Sequence, residues 1–264
     1  MRLTWATDIH LDFVPDDEHG DFYARLLAED PSAILLSGDI ANGRKVCAVL
    51  ADLARFVARP VYFVLGNHDY YGRSVREFRA TVTEFAAATP HLHYLTAGGI
   101  VELNAETALI GHDGWADARF GRYERSTVIL SDFVQIEEFA YSQGAIRRRI
   151  MEQLAQDAAD HLGRLLPDAA ARFQRLFVLT HVPPFAGASR YDGRPSDSSW
   201  LPFFTSKVVG DVLQGILVDF PNCQTTVLCG HTHGAADVQI LPNLRVIAGY
   251  AEYREPAIQQ TFVI

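Results

Sequence analysis

VYFVLGNHDYYG, residues 61–72, joins five apolar residues to a glycine and then to an amide, an imidazole and a carboxylate. An uninterrupted β-rich run of this kind predicts a strand covered on both faces. Gly66 can turn sharply, so the strand would deliver Asn67, His68 and Asp69 to one point at its carboxyl end. Four more runs finish in the same manner. RLTWAT (2–7) leads into Asp8-Ile9-His10, AILLS (33–37) into Gly38-Asp39, LFVLT (176–180) into His181, and TTVLC (225–229) into Gly230-His231-Thr232-His233.

Helical patterns separate these runs at 20–29, 44–58, 74–87, 144–166 and 205–218, where apolar residues recur on one face. Further strands are expected at 98–103, 107–110, 237–240 and 244–247. Early strand–helix alternation followed by hairpin-like pairs predicts an α/β protein layered around mixed sheets. Ligands of such sheets gather beyond the carboxyl ends of the strands. If the five tips are neighbours, they bring together two carboxylates (Asp8, Asp39), one amide (Asn67) and four imidazoles (His10, His181, His231, His233). That set exceeds one tetrahedral ion and suits two ions of higher coordination sharing a carboxylate.

The chain has 264 residues, 48% hydrophobic, enough for a large core. No linker, repeat or low-complexity tract divides it, so one domain over 1–264 is expected, with insertions around 113–166 and 184–203. A formal net charge of −9 argues against non-specific binding to nucleic acid or to an anionic membrane. The opening residues carry no signal-peptide pattern, and no apolar stretch is long enough to span a bilayer. Cys47, Cys223 and Cys229 lack metal-type spacing and read as reduced thiols, so a cytoplasmic location is expected.

The ordered series DxH, GD, GNHD, a lone His after an apolar strand, and GHxH resembles the calcineurin-like metallophosphoesterase family. The resemblance runs from the first strand to the last hairpin. It implies a four-layer αββα sandwich, a dinuclear metal centre and hydrolysis of phosphomonoesters or phosphodiesters by a hydroxide held between two cations. Mixed oxygen and imidazole ligands suit Mn, Fe, Zn, Co or Ni. By the same resemblance, Asp8, His10 and His233 hold the first ion, Asn67, His181 and His231 the second, and Asp39 bridges them. His68 then faces the phosphate and the leaving group. From its adjacency in the chain, rather than from the resemblance, Asp69 is a candidate for orienting His68. Residues 40–46, IANGRKV, depart from the continuation found in the phosphoprotein phosphatases, which lowers the expectation of a protein substrate. A small phosphorylated substrate is expected instead. The alternative from another class is a metal-binding scaffold of weak activity.

Two segments, 113–143 and 184–203, fit no regular element and read as functional loops. Tyr70 and Tyr71 are candidates for the substrate mouth. Trp115, Arg119, Arg122, Tyr191, Arg194 and Trp200 are candidates for choosing the substrate. GHDG at 111–114 imitates the ligand motifs, but the ligand set is complete without it, so His112 and Asp113 are assigned to structure.

Overall fold

The computed structural model describes residues 1–264. β1 (Arg2–Ala6) leads through α1 (His19–Ala28) to β2 (Ala33–Ser37), and α2 (Val46–Val57) leads to β3 (Val61–Val64). α3 (Val75–Ala88) precedes a short β4 (Leu92–Tyr94). β5 (Val101–Glu102) pairs antiparallel with β6 (Thr107–Gly111). Two single-turn helices, α4 (Asp132–Gln135) and α5 (Glu137–Ala140), come before the long α6 (Gly144–Arg172) and β7 (Arg175–Leu179). A small hairpin of β8 (Arg190–Tyr191) and β9 (Arg194–Pro195) is followed by α7 (Leu201–Phe204) and α8 (Lys207–Leu217). The chain ends with β10 (Gln224–Cys229), β11 (Ala236–Leu241), β12 (Leu244–Ala248) and β13 (Ile258–Val263).

The strands form two mixed sheets, in the orders β13-β1-β2-β3-β4 and β11-β12-β10-β7-β6-β5. β1 to β4 run parallel, as do β6, β7, β10 and β12, while β13, β11 and β5 close the edges antiparallel. Strand alternation divides the apolar residues into layers. Leu3, Trp5, Leu35 and Val64 of the first sheet meet Leu109, Phe177, Leu179 and Leu228 of the second in one dry layer. Their neighbours in sequence, Ile34, Leu36, Phe63, Ile110, Val178 and Val227, pack outward into the helix layers. This is the αββα sandwich, and it explains why the runs lack polar alternation: both faces of each central strand are covered.

Several boundaries differ from the sequence reading. α6 continues six residues past the expected end and through Pro167, because Leu166, Ala169 and Ala170 are buried against the core. The strand expected at 98–103 shrinks to Val101–Glu102. β4 is only three residues long, and β13, IQQTFV, has no fully buried position, so neither carries a strong apolar signal. The segment 113–143 contains α4 and α5, and 184–203 contains the β8–β9 hairpin. No helix is long and apolar enough to cross a membrane.

Candidate metal centre

The parallel ladders carry their tips to one edge, and hydrogen bonds continue past the strand ends. Asp8 N–H donates to Gly38 O and His10 N–H to Asp39 O, both at 3.0 Å. In the other sheet Gly230 N–H donates to His181 O at 2.9 Å. The two sheets are joined where His231 N–H donates to Asp8 Oδ1 at 2.9 Å. Each tip must reverse within a residue or two. Asp8, His10, Asp39, His231 and His233 consequently adopt positive φ angles of 50°, 41°, 51°, 70° and 55°. Such conformations cost roughly 1–2 kcal/mol each for non-glycine residues and concentrate where a site needs them. Gly66 and Gly230 serve close approach instead. A Cβ on Gly66 would lie 2.2 Å from Asp39 Oδ1, and one on Gly230 would lie 1.9 Å from Asp8 Oδ2.

The side chains form two clusters that meet at Asp39. In the first, His10 Nε2 lies 3.2 Å from His233 Nε2 and 3.7 Å from Asp39 Oδ2, and His233 Nε2 lies 3.5 Å from Asp8 Oδ1. One ligand atom from each of these four residues falls within 4.8 Å of all the others. In the second, Asn67 Oδ1 lies 3.0 Å from His181 Nε2 and 2.8 Å from His231 Nδ1. Asp39 Oδ1 approaches this cluster at 3.4 Å from His181 Nε2.

Hydrogen-bond partners fix the tautomers of the second cluster. His181 Nδ1 faces the Ser37 carbonyl at 3.0 Å, and His231 Nε2 faces the Phe203 carbonyl at 2.9 Å. A carbonyl only accepts, so both of those nitrogens carry hydrogen, and in the neutral rings the opposite nitrogens offer lone pairs. Three acceptor atoms, from Asn67, His181 and His231, therefore point at one another. Burial lowers the His10 and His231 pKa values to about 3, so both are neutral. Burial also opposes a charge on His181, but the Asp39 and Asp8 carboxylates outweigh it and raise its pKa to about 10. Without a cation, a proton on His181 takes up that role. Asp39 likewise resists burial, because His181 and His68 hold it well below the ordinary carboxylate range. The centre thus calls for positive charge, and its oxygen and imidazole donors fit two divalent cations.

His68 stands at the mouth. Its ring stacks on Tyr71 at 4.4 Å and meets the edge of His10 at 4.7 Å. Its backbone N–H donates to Asp39 Oδ1 at 2.9 Å. Asp69 does not orient it. Asp69 Oδ1 instead accepts from Ile40 N–H and Ala41 N–H at 2.9 and 3.0 Å, and Oδ2 from Gly66 N–H at 2.7 Å. The reason is local: His68–Tyr70 is a 3₁₀ turn, in which successive side chains diverge by about a third of a circle. The same turn sends Tyr70 inward, fully buried with its hydroxyl on Asp113 at 2.6 Å, so Tyr70 does not line a substrate mouth.

A cleft of about 1110 Å³ opens above the two clusters. Tyr191 and Arg194 line it, together with Tyr71 and Trp200. Trp115 does not. It is buried against Phe139 and forms part of the wall behind the second cluster. Arg119 is exposed away from the cleft, its Nε 3.9 Å from Asp117. Among the cleft residues that escaped the sequence reading are Asp132, Tyr250 and Tyr253. The Tyr253 ring lies 4.7 Å from His10 and 5.1 Å from His233.

Residues 1–235 match the family described as calcineurin-like phosphoesterase. Among solved structures, a dimetal phosphatase from Danio rerio aligns at TM-score 0.63 and 13% identity, over 99% of this chain and 91% of that one. A phosphopantetheinyl hydrolase from Mycobacterium tuberculosis aligns at TM-score 0.69 and 15% identity, over 96% and 89%. A protein from Thermus thermophilus aligns at TM-score 0.54 and 14% identity, over 94% and 88%. At these identities the likeness is one of fold. No curated protein sequence matches the chain.

Proposed function

The chain belongs to the calcineurin-like phosphoesterase family, and on that premise we propose that it hydrolyses small phosphoesters with the help of two divalent cations. Asp8, His10 and His233 would hold one ion, Asn67, His181 and His231 the other, and Asp39 would reach both through its two oxygens. The observation that carries this reading is the convergence of Asn67 Oδ1, His181 Nε2 and His231 Nδ1. A proton on His181 leaves the His231 lone pair facing another acceptor, whereas a cation satisfies all three atoms at once. Bound divalent ions supply charge neutralisation at the phosphoryl oxygens and a water nucleophile available near neutral pH.

The chain's own residues supply position and protons. Neither ring nitrogen of His68 has a protein partner, and its ring is steadied by Tyr71 and His10. It is therefore free to donate to the phosphoryl group or the departing oxygen. Tyr71, Tyr191, Trp200 and Tyr253 offer apolar faces to an organic leaving group, and Arg194 offers the cleft's one guanidinium. Asp192, Asp197 and Glu252 on the same walls disfavour a long polyanion, which agrees with a small substrate.

Hydrolysis of p-nitrophenyl phosphate and bis-p-nitrophenyl phosphate, with Mn²⁺ added or chelator present, tests the reading. Metal-dependent turnover that falls by about 100-fold or more in His68→Ala and Asp39→Asn is expected. Turnover indifferent to the chelator, or near normal in both variants, would refute it.

A further inference from the structure

Asn67 presents a problem the other ligands do not share. A carboxylate can face a cation with either oxygen, but an amide can turn its NH₂ group inward and repel it. Something must hold the oxygen side toward His181 and His231. Asn67 Nδ2 lies 2.7 Å from Asp132 Oδ1. A carboxylate only accepts, so the amide's donor end is drawn to Asp132 and its oxygen is turned to the cluster. Asp132 is itself only 5% exposed.

The surroundings keep Asp132 in place. The next residue, Phe133, packs on Phe139 and Phe203, and the Arg147 guanidinium covers its ring at 3.7 Å. The segment is also tied to the loop that carries Asn67: Gly72 N–H donates to Gln135 O at 2.7 Å, and Glu137 N–H to Arg73 O at 3.0 Å. Behind the pair is a cavity of about 20 Å³ with mostly apolar walls. Water entering there could accept from Nδ2, but it could equally donate, so it would not enforce one orientation.

We infer that Asp132 is a positioning residue that selects the ion-facing rotamer of Asn67 and so sets the affinity of the second cation site. This inference rests on the two-cation reading above. Loss of an outer hydrogen-bond partner of this kind typically costs 10–100-fold in metal affinity.

The test is Mn²⁺ binding followed by electron paramagnetic resonance, in wild type, Asp132→Ala, Asp132→Asn and the exchange Asn67→Asp/Asp132→Asn. Wild type binding two ions supports the underlying reading. Failure of wild type to bind a second ion would overturn that reading and the inference together. In Asp132→Ala, weakening of the weaker-held or second ion by about 10–100-fold is expected, with the other ion within about threefold of wild type. Asp132→Asn keeps the shape but pairs with either orientation of Asn67, so an intermediate loss is expected. It also serves as the readout if the alanine variant does not fold. The exchange variant again places one acceptor toward the cluster and one donor–acceptor pair outside it, so two-ion binding is expected to return. A purely structural role for Asp132 predicts no such rescue. Unchanged second-ion affinity in the single variants, equal weakening of both ions, or an exchange variant no better than Asp132→Asn would each overturn the inference.

Discussion

Gly66–Asp69 after β3 and Gly111–Gly114 after β6 are built from nearly the same residue types, each at the end of an apolar strand, yet they do different work. Asn67 Oδ1 faces nitrogens of His181 and His231 that also offer lone pairs, and neither ring nitrogen of His68 has a protein partner. His112 and Asp113 are 4% and 1% exposed and are held by the protein's own groups. His112 Nδ1 accepts from Gly114 N–H at 3.0 Å. Asp113 Oδ1 accepts from Leu65 N–H and Thr96 Oγ1, and Oδ2 from Tyr70, Tyr94 and Arg79 Nε. A carboxylate surrounded by five donors has no capacity left for a ligand. What separates the two motifs is whether the facing atoms are donors or acceptors, and that depends on which tips lie opposite. Asp69 belongs with Asp113 by this criterion, although it stands inside the GNHD motif.

Four substitutions would break or sharpen this contrast. The largest effect on folding is expected from Asp113→Ala, which leaves the largely covered Arg79 beside two phenols with only the exposed Asp157, 3.9 Å away, as counter-charge. Urea unfolding should show a loss of about 3–5 kcal/mol, and a loss below about 1 kcal/mol would remove the structural assignment. His68→Ala should do the reverse. kcat should drop about 100-fold, equivalent to about 2.7 kcal/mol. Its unfolding free energy should stay within about 1 kcal/mol of wild type and its metal content should be unchanged.

Asp69→Asn is the intermediate case. The amide replaces one acceptor by a donor facing a backbone N–H, so unfolding should be easier by about 1–3 kcal/mol. If Asp69→Asn lowered kcat as much as His68→Ala and left stability intact, Asp69 would have to move back to the catalytic group. The smallest effect is expected from Tyr71→Leu, which removes the stacking that steadies His68. That stacking contributes about 0.5–1.5 kcal/mol, so steady-state kinetics should show kcat falling no more than about tenfold.

Most of this centre could be read from the sequence, because each candidate ligand follows an apolar run that only a doubly covered strand produces. Asp8, His10, Asp39, His181, His231 and His233 all carry that marker. The errors fall where a local turn decides direction. Asp69, Tyr70 and Tyr71 are consecutive, yet the 3₁₀ turn sends the first two inward and leaves the third against His68. Asp132 had no marker, since it stands in SDFVQ and meets a partner 65 residues away. Tyr253 lies in the turn after β12, where neither periodicity nor motif points at the cleft. Such residues are brought to the site by tertiary packing alone, and a single sequence does not encode that packing in any short pattern.

Anomalous diffraction from crystals soaked in Mn²⁺ tests the central claim most directly. Two peaks per chain are expected, about 3.5–4 Å apart, one on either side of the Asp39 carboxylate. A single peak, peaks away from Asp39, or none at full Mn²⁺ saturation would contradict the account.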